Sequence, residues 1–492
     1  MPTLPVNVYS VASVRELDRC AIEDHGIPGY TLMTRAGAMA VRGARQRFPG
    51  AERWQIICGA GNNGGDGYVV ARLAAGDGVV VSVLSLVEPE KLTGDAATAY
   101  QDFAAEGGVV MPWEGDLDSD ADLLVDGILG SGLERDVAGA FGEAVAAINA
   151  HPAPVLALDI PTGIHGDTGQ ILGSAVRADL TVTFVGLKTG LFLNDAPGFC
   201  GELIHESLDI PDECSREVKP VMRRIGESLL REVLAPRPRA AHKGDFGHVL
   251  VIGGGKGMPG AARLCGEAAL RAGAGRVSIA TDPAHAAILT MSRPELMSHA
   301  IEEARDLERL LVGADVIAFG PGLGRSGWAE SLFDIVRADS RPAVWDADGL
   351  NWLATNPNQA ESRIITPHPG EAGVLLGTSA AEVQADRIGT VKTLQERYGG
   401  VAVLKGAGTL VSTGAESPAL CTSGNPGMAA AGMGDALTGI IAAMLAQGLS
   451  AEEAATAGVE CHARAGDIAA GDGERGLIAS DLVAALRTVV NP

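Results

Sequence analysis

The sequence predicts two successive α/β domains, each a largely parallel sheet with helices packed on both faces. Three features carry that reading. Short, uninterrupted apolar runs alternate with longer Ala/Leu-rich stretches of helical spacing, the pattern of strands buried on both sides. Turns rich in glycine, of which the 492-residue chain has 66, separate the two kinds of segment. The alternation stops once, near 209–245, and then begins afresh.

In chain order, the first strands are expected at 54–58, 79–84, 122–126, 155–159 and 180–184, with a helix over 68–75. The break follows. Asp209-Ile-Pro-Asp-Glu-Cys-Ser-Arg-Glu-Val-Lys-Pro220 and Ala235-Pro-Arg-Pro-Arg-Ala-Ala-His-Lys-Gly-Asp245 are dense in turn formers and charge, as an interdomain connection is. A new strand starts at His248-Val-Leu-Val-Ile252. Others are expected at 276–280, 315–319, 343–346, 363–366 and 401–404, with helices 451–471 and 479–489 closing the series. This connection divides the chain into two domains, one before it and one after it.

Composition narrows the function. Net charge is −23, so neither nucleic acid nor an anionic membrane is expected as a partner; both need basic faces. The acidity itself reads as solubility. Seven dispersed cysteines (Cys20, Cys58, Cys200, Cys214, Cys265, Cys421, Cys461) with no CxxC suggest reduced thiols in a cytoplasmic protein. The opening Met-Pro-Thr-Leu-Pro-Val-Asn lacks a basic and an apolar signal region, so no secretory signal is expected. No apolar run approaches the roughly eighteen residues of a membrane span. With no HExxH and no Cys/His cluster, zinc is not expected.

In the first half, Cys58-Gly-Ala-Gly-Asn-Asn-Gly-Gly-Asp-Gly67 contains a G-x-G-x-x-G at Gly59, Gly61 and Gly64, after a strand and before a helix. Its amides and carboxylate suit a polar ligand or a cation; a turn needing glycine only for its backbone is the alternative. Two more loops fall at expected strand ends, where ligands collect in parallel sheets: Asp126-Gly-Ile-Leu-Gly130-Ser131-Gly132-Leu133-Glu134-Arg135-Asp136 and Leu158-Asp-Ile-Pro-Thr-Gly-Ile164. Asp159 is a candidate acid/base, or a turn cap. Lys188 is a candidate positive partner, or a solvated lysine.

The second half ends its motif series with Gly424-Asn-Pro-Gly-Met-Ala-Ala-Ala-Gly-Met-Gly-Asp435, running into an apolar helix. Bare backbone N–H groups at Gly432, Met433 and Gly434 would seat an anion such as a transferring phosphoryl group. Asp435 stands beside that seat, able to take a proton from a substrate hydroxyl. Gly253-Gly-Gly-Lys-Gly-Met-Pro-Gly-Ala-Ala262 is not a Walker loop, because Gly257 follows Lys256. Phe319-Gly-Pro-Gly-Leu-Gly324, Trp345-Asp-Ala-Asp-Gly349, Thr366-Pro-His-Pro-Gly-Glu371 and Val403-Leu-Lys-Gly-Ala-Gly-Thr409 add backbone, Asp346, Asp348, His368, Glu371 and Lys405 at further strand ends. Carboxylates beside nucleotide phosphates point to Mg²⁺. His368 as a structural turn histidine, Asp346 and Asp348 as caps, and Lys405 as a surface residue are the alternatives. A simple alcohol kinase, or an NAD-dependent oxidoreductase on Gly59–Gly64, remains open on motifs alone.

Asn62-Asn63-Gly64-Gly65-Asp66, Asp126 with 130–136, and Asp159-Ile-Pro-Thr162 resemble the epimerase domain of NAD(P)H-hydrate repair enzymes. The resemblance covers residues 8–215 and implies a Rossmann-like domain that interconverts the R and S hydrates of NADH or NADPH. It assigns residues 62–66, 130–136 and Asp159 to the hydrate, with Asp159 as acid/base at C6. It assigns Asn63, Asp126 and Thr162 to K⁺. Residues 225–492 are similar to ribokinase-like proteins, specifically the ADP/ATP-dependent NAD(P)H-hydrate dehydratases. That implies Ala261, Gly322, His368 and Asp435 on the hydrated nucleotide, with Ala262 an equally small neighbour of Ala261. It implies Lys405, Gly406, Ala407, Gly408, Thr409 and Gly434 on ADP or ATP. A homo-oligomer is expected on the same ground.

Overall fold

A computed structural model describes residues 4–226, 228–291 and 293–492. The chain divides into two compact units, Met1–Arg223 and Arg224–Pro492.

The first unit is built on a seven-stranded parallel sheet. Its spatial order is Val110–Pro112, Val80–Ser85, Arg53–Cys58, Leu123–Gly127, Val155–Leu158, Leu180–Phe184, Glu202–Glu206. Ile56, Ile57, Leu123, Leu124 and Val125 are fully buried, because helices cover both faces of these apolar runs. The chain builds outward from Arg53–Cys58 in one direction, then crosses to Leu123–Gly127 and builds the other way. The carboxyl ends of those two strands therefore flank a topological switch point, where a crevice opens.

Helix Asn62–Gly76 starts at once after Gly61. The helix expected over 68–75 thus begins six residues earlier, and the Asn-Asn-Gly-Gly-Asp segment is its first turn and a half rather than a loop. The strand expected over 155–159 ends at Leu158, and Asp159 turns off with φ +67°. Two short strands, Asn7–Tyr9 and Leu187–Lys188, pair in parallel. They deliver the chain into helix Val11–Arg19, capped by the Ser10 hydroxyl, which accepts from the Ser13 N–H at 3.1 Å. The expectation of reduced cysteines is corrected here: Cys20 and Cys214, 194 residues apart, form a disulfide. Sequence spacing registers neighbours, and these two meet only through tertiary folding. The other five cysteines are free and buried.

In the second unit, seven parallel strands run Met297–Ala300, Arg276–Thr281, His248–Ile252, Val316–Phe319, Ala343–Trp345, Arg363–Ile365, Val401–Leu404. Thr409–Ser412 and Ala419–Cys421 extend the sheet antiparallel. Helix Met433–Ala446 is apolar nearly all round and sunk in the core, with Ala436, Ile440, Ile441, Ala443 and Met444 fully buried. It crosses helix Pro259–Arg271 so closely that a Cβ on Gly439 would lie 2.0 Å from the Cys265 carbonyl oxygen. A helix packed this tightly fixes the position of its own N-terminus. No helix among the described residues is long and apolar enough to cross a membrane.

Candidate active sites

The first unit holds a cavity of about 840 Å³ at the switch point. Of the residues expected on a substrate, Asn62, Asn63, Asp66, Gly130, Ser131, Gly132, Leu133, Glu134, Arg135 and Asp159 line it. Gly64 and Gly65 do not. They are packing positions: a Cβ on Gly64 would lie 2.2 Å from the Gly59 carbonyl oxygen, and one on Gly65 2.6 Å from the Met33 methyl. Asp136 also lies outside the lining.

Asp159 and Lys188 are the cavity's charged centre. Lys188 is 1% exposed, so it is not a solvated lysine. Its Nζ donates to Asp159 Oδ1, to Thr183 Oγ1 at 3.0 Å and to the Phe184 carbonyl at 2.7 Å. Ser131 N–H donates to Asp159 Oδ2 at 3.2 Å. Burial alone would raise the Asp159 carboxyl, but the Lys188 charge and hydrogen bond outweigh it and hold it below the usual range. Asp66 is raised well above that range by burial and by the nearby Asp159 and Asp18.

Asp126 is fully buried beneath the crevice. Its carboxylate accepts from Thr162 N–H at 2.8 Å, Thr162 Oγ1 at 2.7 Å and Ile128 N–H at 3.2 Å. Burial pushes it up to about 6 despite those bonds. Asn63, also buried, leaves both amide atoms without a hydrogen-bond partner. A buried carboxylate with no cationic side chain and an orphaned amide oxygen fit a monovalent cation with oxygen ligands.

In the second unit two glycine loops zip together: Gly254 N–H donates to the Pro321 carbonyl at 2.9 Å and Gly255 N–H to that of Gly322 at 2.7 Å. Gly322 has φ +59°, and a Cβ there would sit 3.0 Å from that of Ala261. Ala261 and Gly322 thus face one another. Ala262 is fully buried and packs beside Gly254 instead.

Lys405 Nζ lies 2.6 Å from Asp346 Oδ1 and 3.6 Å from Glu371 Oε2. Thr438 Oγ1 donates to Asp346 Oδ2 at 2.9 Å. Burial opposes ionisation of Asp346, but Lys405 overcomes it and holds the carboxyl low. His368 caps helix Pro369–Leu376. Its Nδ1 accepts from Gly370 and Glu371 N–H at 3.0 and 3.3 Å, which leaves the proton on Nε2. Its Nε2 is 3.5 Å from Glu371 Oε1. The segment 405–409 is pinned from behind by buried Arg387, whose guanidinium donates to the carbonyls of Leu404, Lys405 and Gly408 at 3.2–3.3 Å.

Gly432, at φ +88°, turns the chain into helix Met433–Ala446 with no side-chain cap. The first-turn N–H groups of Met433, Gly434 and Asp435 therefore lack intrahelical acceptors and present positive potential. A Cβ on Gly434 would lie 3.2 Å from Lys405 Nζ, so cradle and ammonium adjoin. Asp435 completes the cluster. Burial, and then Asp346, Glu371 and Asp348, push its carboxyl up to about 7, against the pull of Lys405. Four carboxyl groups against one lysine leave negative charge that fits a divalent cation carried by a nucleotide.

Sequence reasoning did not single out Arg15, Asp18 or Arg387. Asp18 and Arg15 line the first cavity from helix Val11–Arg19. On a helix of alternating charge and apolar residues, nothing local separates a cavity-facing acid from a solvent-facing one.

Fold and sites define a two-unit α/β protein: a dinucleotide-type sheet with a charged crevice, followed in the chain by a unit with an uncapped helix N-terminus beside a cluster of carboxyl groups and one lysine. The chain is 47% identical over 486 residues to the bifunctional NAD(P)H-hydrate repair enzyme of Coxiella burnetii, covering 99% of each. It is 42% identical over 491 residues to that of Escherichia coli, covering 100% of this chain and 95% of the relative. The chain belongs to the family of bifunctional NAD(P)H-hydrate repair enzymes. Residues 249–487 match the family model described as NAD(P)H-hydrate dehydratase, and 29–190 the one described as YjeF-related protein N-terminus. A solved ribokinase-like superfamily protein from Enterococcus faecalis is similar to 55% of this chain over 95% of its own, at 30% identity and TM-score 0.52.

Proposed function

We propose that the second unit dehydrates the S hydrate of NADH or NADPH, consuming ADP or ATP and releasing AMP or ADP with phosphate. The first unit interconverts the R and S hydrates, so that both drain through one exit. The observation that carries this reading is Asp435, a part-buried carboxyl of near-neutral pKa on the first turn of an uncapped helix.

Asp435 takes the proton of the C6 hydroxyl as the hydroxyl oxygen attacks the terminal phosphoryl group. The Met433–Asp435 N–H groups and Lys405 stabilise the charge that develops. Hydroxide leaves poorly, whereas phosphate leaves well. The ring nitrogen lone pair expels it, and loss of a proton from the adjacent ring carbon restores the dihydronicotinamide. Ala261, Gly322 and His368 hold the hydrate; residues 405–409 and Gly434 hold the adenine nucleotide. Asp346, Asp348 and Glu371 would face a Mg²⁺ held on the nucleotide phosphates, and when bound it neutralises their charge. In the first unit Asn62, Asn63, Asp66, residues 130–135 and Asp159 hold the hydrate, with Asp159 as acid/base. Asn63, Asp126 and Thr162 would hold K⁺, which adds a positive charge at the crevice floor.

The test is to incubate mixed hydrates with ADP or ATP, following nicotinamide absorbance and phosphate. Stoichiometric recovery of both supports the reading. A stable phosphorylated alcohol with no recovered absorbance would mark an alcohol kinase instead.

A further inference from the structure

Val11, Val14, Arg15, Asp18 and Ile22 all line the first cavity. Their spacing puts them on one helical face, so helix Val11–Arg19 and the turn after it form a wall of the site. On that wall Asp18 is the one carboxyl group. It is part-buried and accepts no hydrogen bond from any described residue. Two groups act on it electrostatically from other elements, Lys188 from strand Leu187–Lys188 and Asp159 from the end of Val155–Leu158, and Asp18 in turn acts on Asp66 of helix Asn62–Gly76. Arg15 shares its own helix face, and Asp95, Glu134 and Arg135 complete the charged lining.

One ammonium cannot serve three acids equally. Lys188 is hydrogen-bonded to Asp159 and holds it ionised. Asp18 has no such bond, and burial, with Asp159 adding repulsion, raises it to about 6. The cavity thus contains one carboxylate, Asp159, and two carboxyl groups that keep their protons more readily, Asp18 on the helix wall and Asp66 on helix Asn62–Gly76, all facing the same space. Environments that drive two acids apart in this way divide the acid and base roles between them.

We propose that Asp18 is a second catalytic residue of the epimerase site, acting as the acid that partners Asp159 as the base at C6. The proposal rests on the epimerase reading of the first unit. Asp18 gives its proton to the C6 hydroxyl of the R hydrate as the C6–O bond breaks. The bonding pair leaves with the oxygen as water, and the ring nitrogen lone pair forms the N=C6 bond of a ring cation. Water then returns to the opposite face of C6. Its oxygen forms the new C6–O bond, its extra proton goes to Asp159, and the N=C6 pair returns to nitrogen. Asp18 ends ionised and Asp159 protonated, so the reverse reaction uses the same pair with roles exchanged.

The experiment uses the full chain without ADP or ATP, starting from the purified R hydrate and separating the epimers by chromatography. Asp18→Asn is expected to lower kcat for epimerisation by about 10²–10⁴-fold with KM little changed. Wild-type kcat is expected to fall above pH about 6, and that limb should be absent in the residual activity of Asp18→Asn. Asp18→Glu, which keeps a carboxyl group, is expected to recover most of the rate with a displaced limb. Dehydration of the S hydrate by each variant, with its melting curve, reports an intact fold. Should Asp18→Asn not fold, the limb of Asp18→Glu decides: displaced supports the role, and unmoved overturns it. An Asp18→Asn rate within threefold of wild type, a change in KM alone, or an alkaline limb that persists in Asp18→Asn overturns it. If the wild type itself does not interconvert the hydrates, the epimerase reading fails and the proposal with it. Insensitivity to Asp18 alone overturns only the proposal.

Discussion

Lys405 Nζ lies 2.6 Å from Asp346 Oδ1 and beside Gly434, at the open N-terminus of helix Met433–Ala446. One ammonium therefore neutralises a carboxylate only 2% exposed and also faces the place where a phosphoryl group would sit. Removing it strands Asp346, and losing one partner of a buried pair costs roughly 3–5 kcal/mol. Lys405→Met should lose stability on that scale in urea melts and bind ADP poorly. Adding Asp346→Leu should restore much of the stability but not the nucleotide affinity. A single Lys405→Met with unchanged stability would mean the pair is not buried as described.

Asp435 must be ionised to act as a base, and its pKa is raised to about 7. Turnover of the S hydrate should then fall about tenfold per pH unit below 7. The sign for stability is the opposite of a salt-bridged carboxylate. An acid whose pKa is raised by folding loses stability as pH climbs from its unfolded value, near 4, to about 7. Asp435→Asn should accordingly lower kcat by about 10²–10⁴-fold while melting higher than wild type at pH 8. A flat kcat profile from pH 5.5 to 8 would remove Asp435 from the base role.

Asp159 is expected to control the R hydrate alone. With both units intact, a mixed pool should be consumed completely. With Asp159→Ala, consumption should be rapid for the S fraction and then limited by spontaneous epimerisation. Lys188→Met should imitate this near neutral pH, because burial then favours the protonated Asp159. The measurement is nicotinamide absorbance with time; a single fast phase in Asp159→Ala would exclude the assignment.

How far the site was legible depends on what each residue needs from its neighbours in sequence. Strands such as Leu180–Phe184 and Val401–Leu404 are continuous apolar runs, readable because a strand buried on both faces needs nothing else. Asp435 was readable because glycine, small residues and an acid before an apolar helix are a local pattern. The start of helix Asn62–Gly76 was not, since Asn and Gly argue against helix on propensity and only packing against Gly59, Met33 and Ala96 overrides it. Asp18 and the Cys20–Cys214 bond were invisible for a stronger reason. Their meaning lies in partners that only the tertiary fold brings near, Lys188 and Asp159 for Asp18 and, 194 residues along the chain, Cys214 for Cys20.

Asn63, Asp126 and Thr162 make the proposed cation site of the first unit testable. Replacing K⁺ by a bulky organic cation should slow epimerisation several-fold. Asn63→Ala should remove the response, since its amide oxygen is a buried acceptor that the fold leaves unsatisfied. Protection of Asp126 against acid should show the same dependence, because a bound cation lowers a carboxyl that burial has raised to about 6. An epimerase rate identical in K⁺ and in the organic cation would refute the site.

The Cys20–Cys214 disulfide ties the turn after helix Val11–Arg19 to helix Asp212–Glu217, across 194 residues of sequence. Closing a loop of that length removes unfolded-state entropy worth up to about 5 kcal/mol in the chain-entropy account. The first unit should therefore melt at lower temperature in reductant, while melting of the second, whose cysteines are all free, stays put. Cys214→Ser should reproduce the shift in oxidising buffer and abolish any further effect of reductant. Denatured protein should yield five reactive thiols before reduction and seven after. Seven before reduction, with a first transition that reductant does not move, would show that the two sulfurs are not joined in solution.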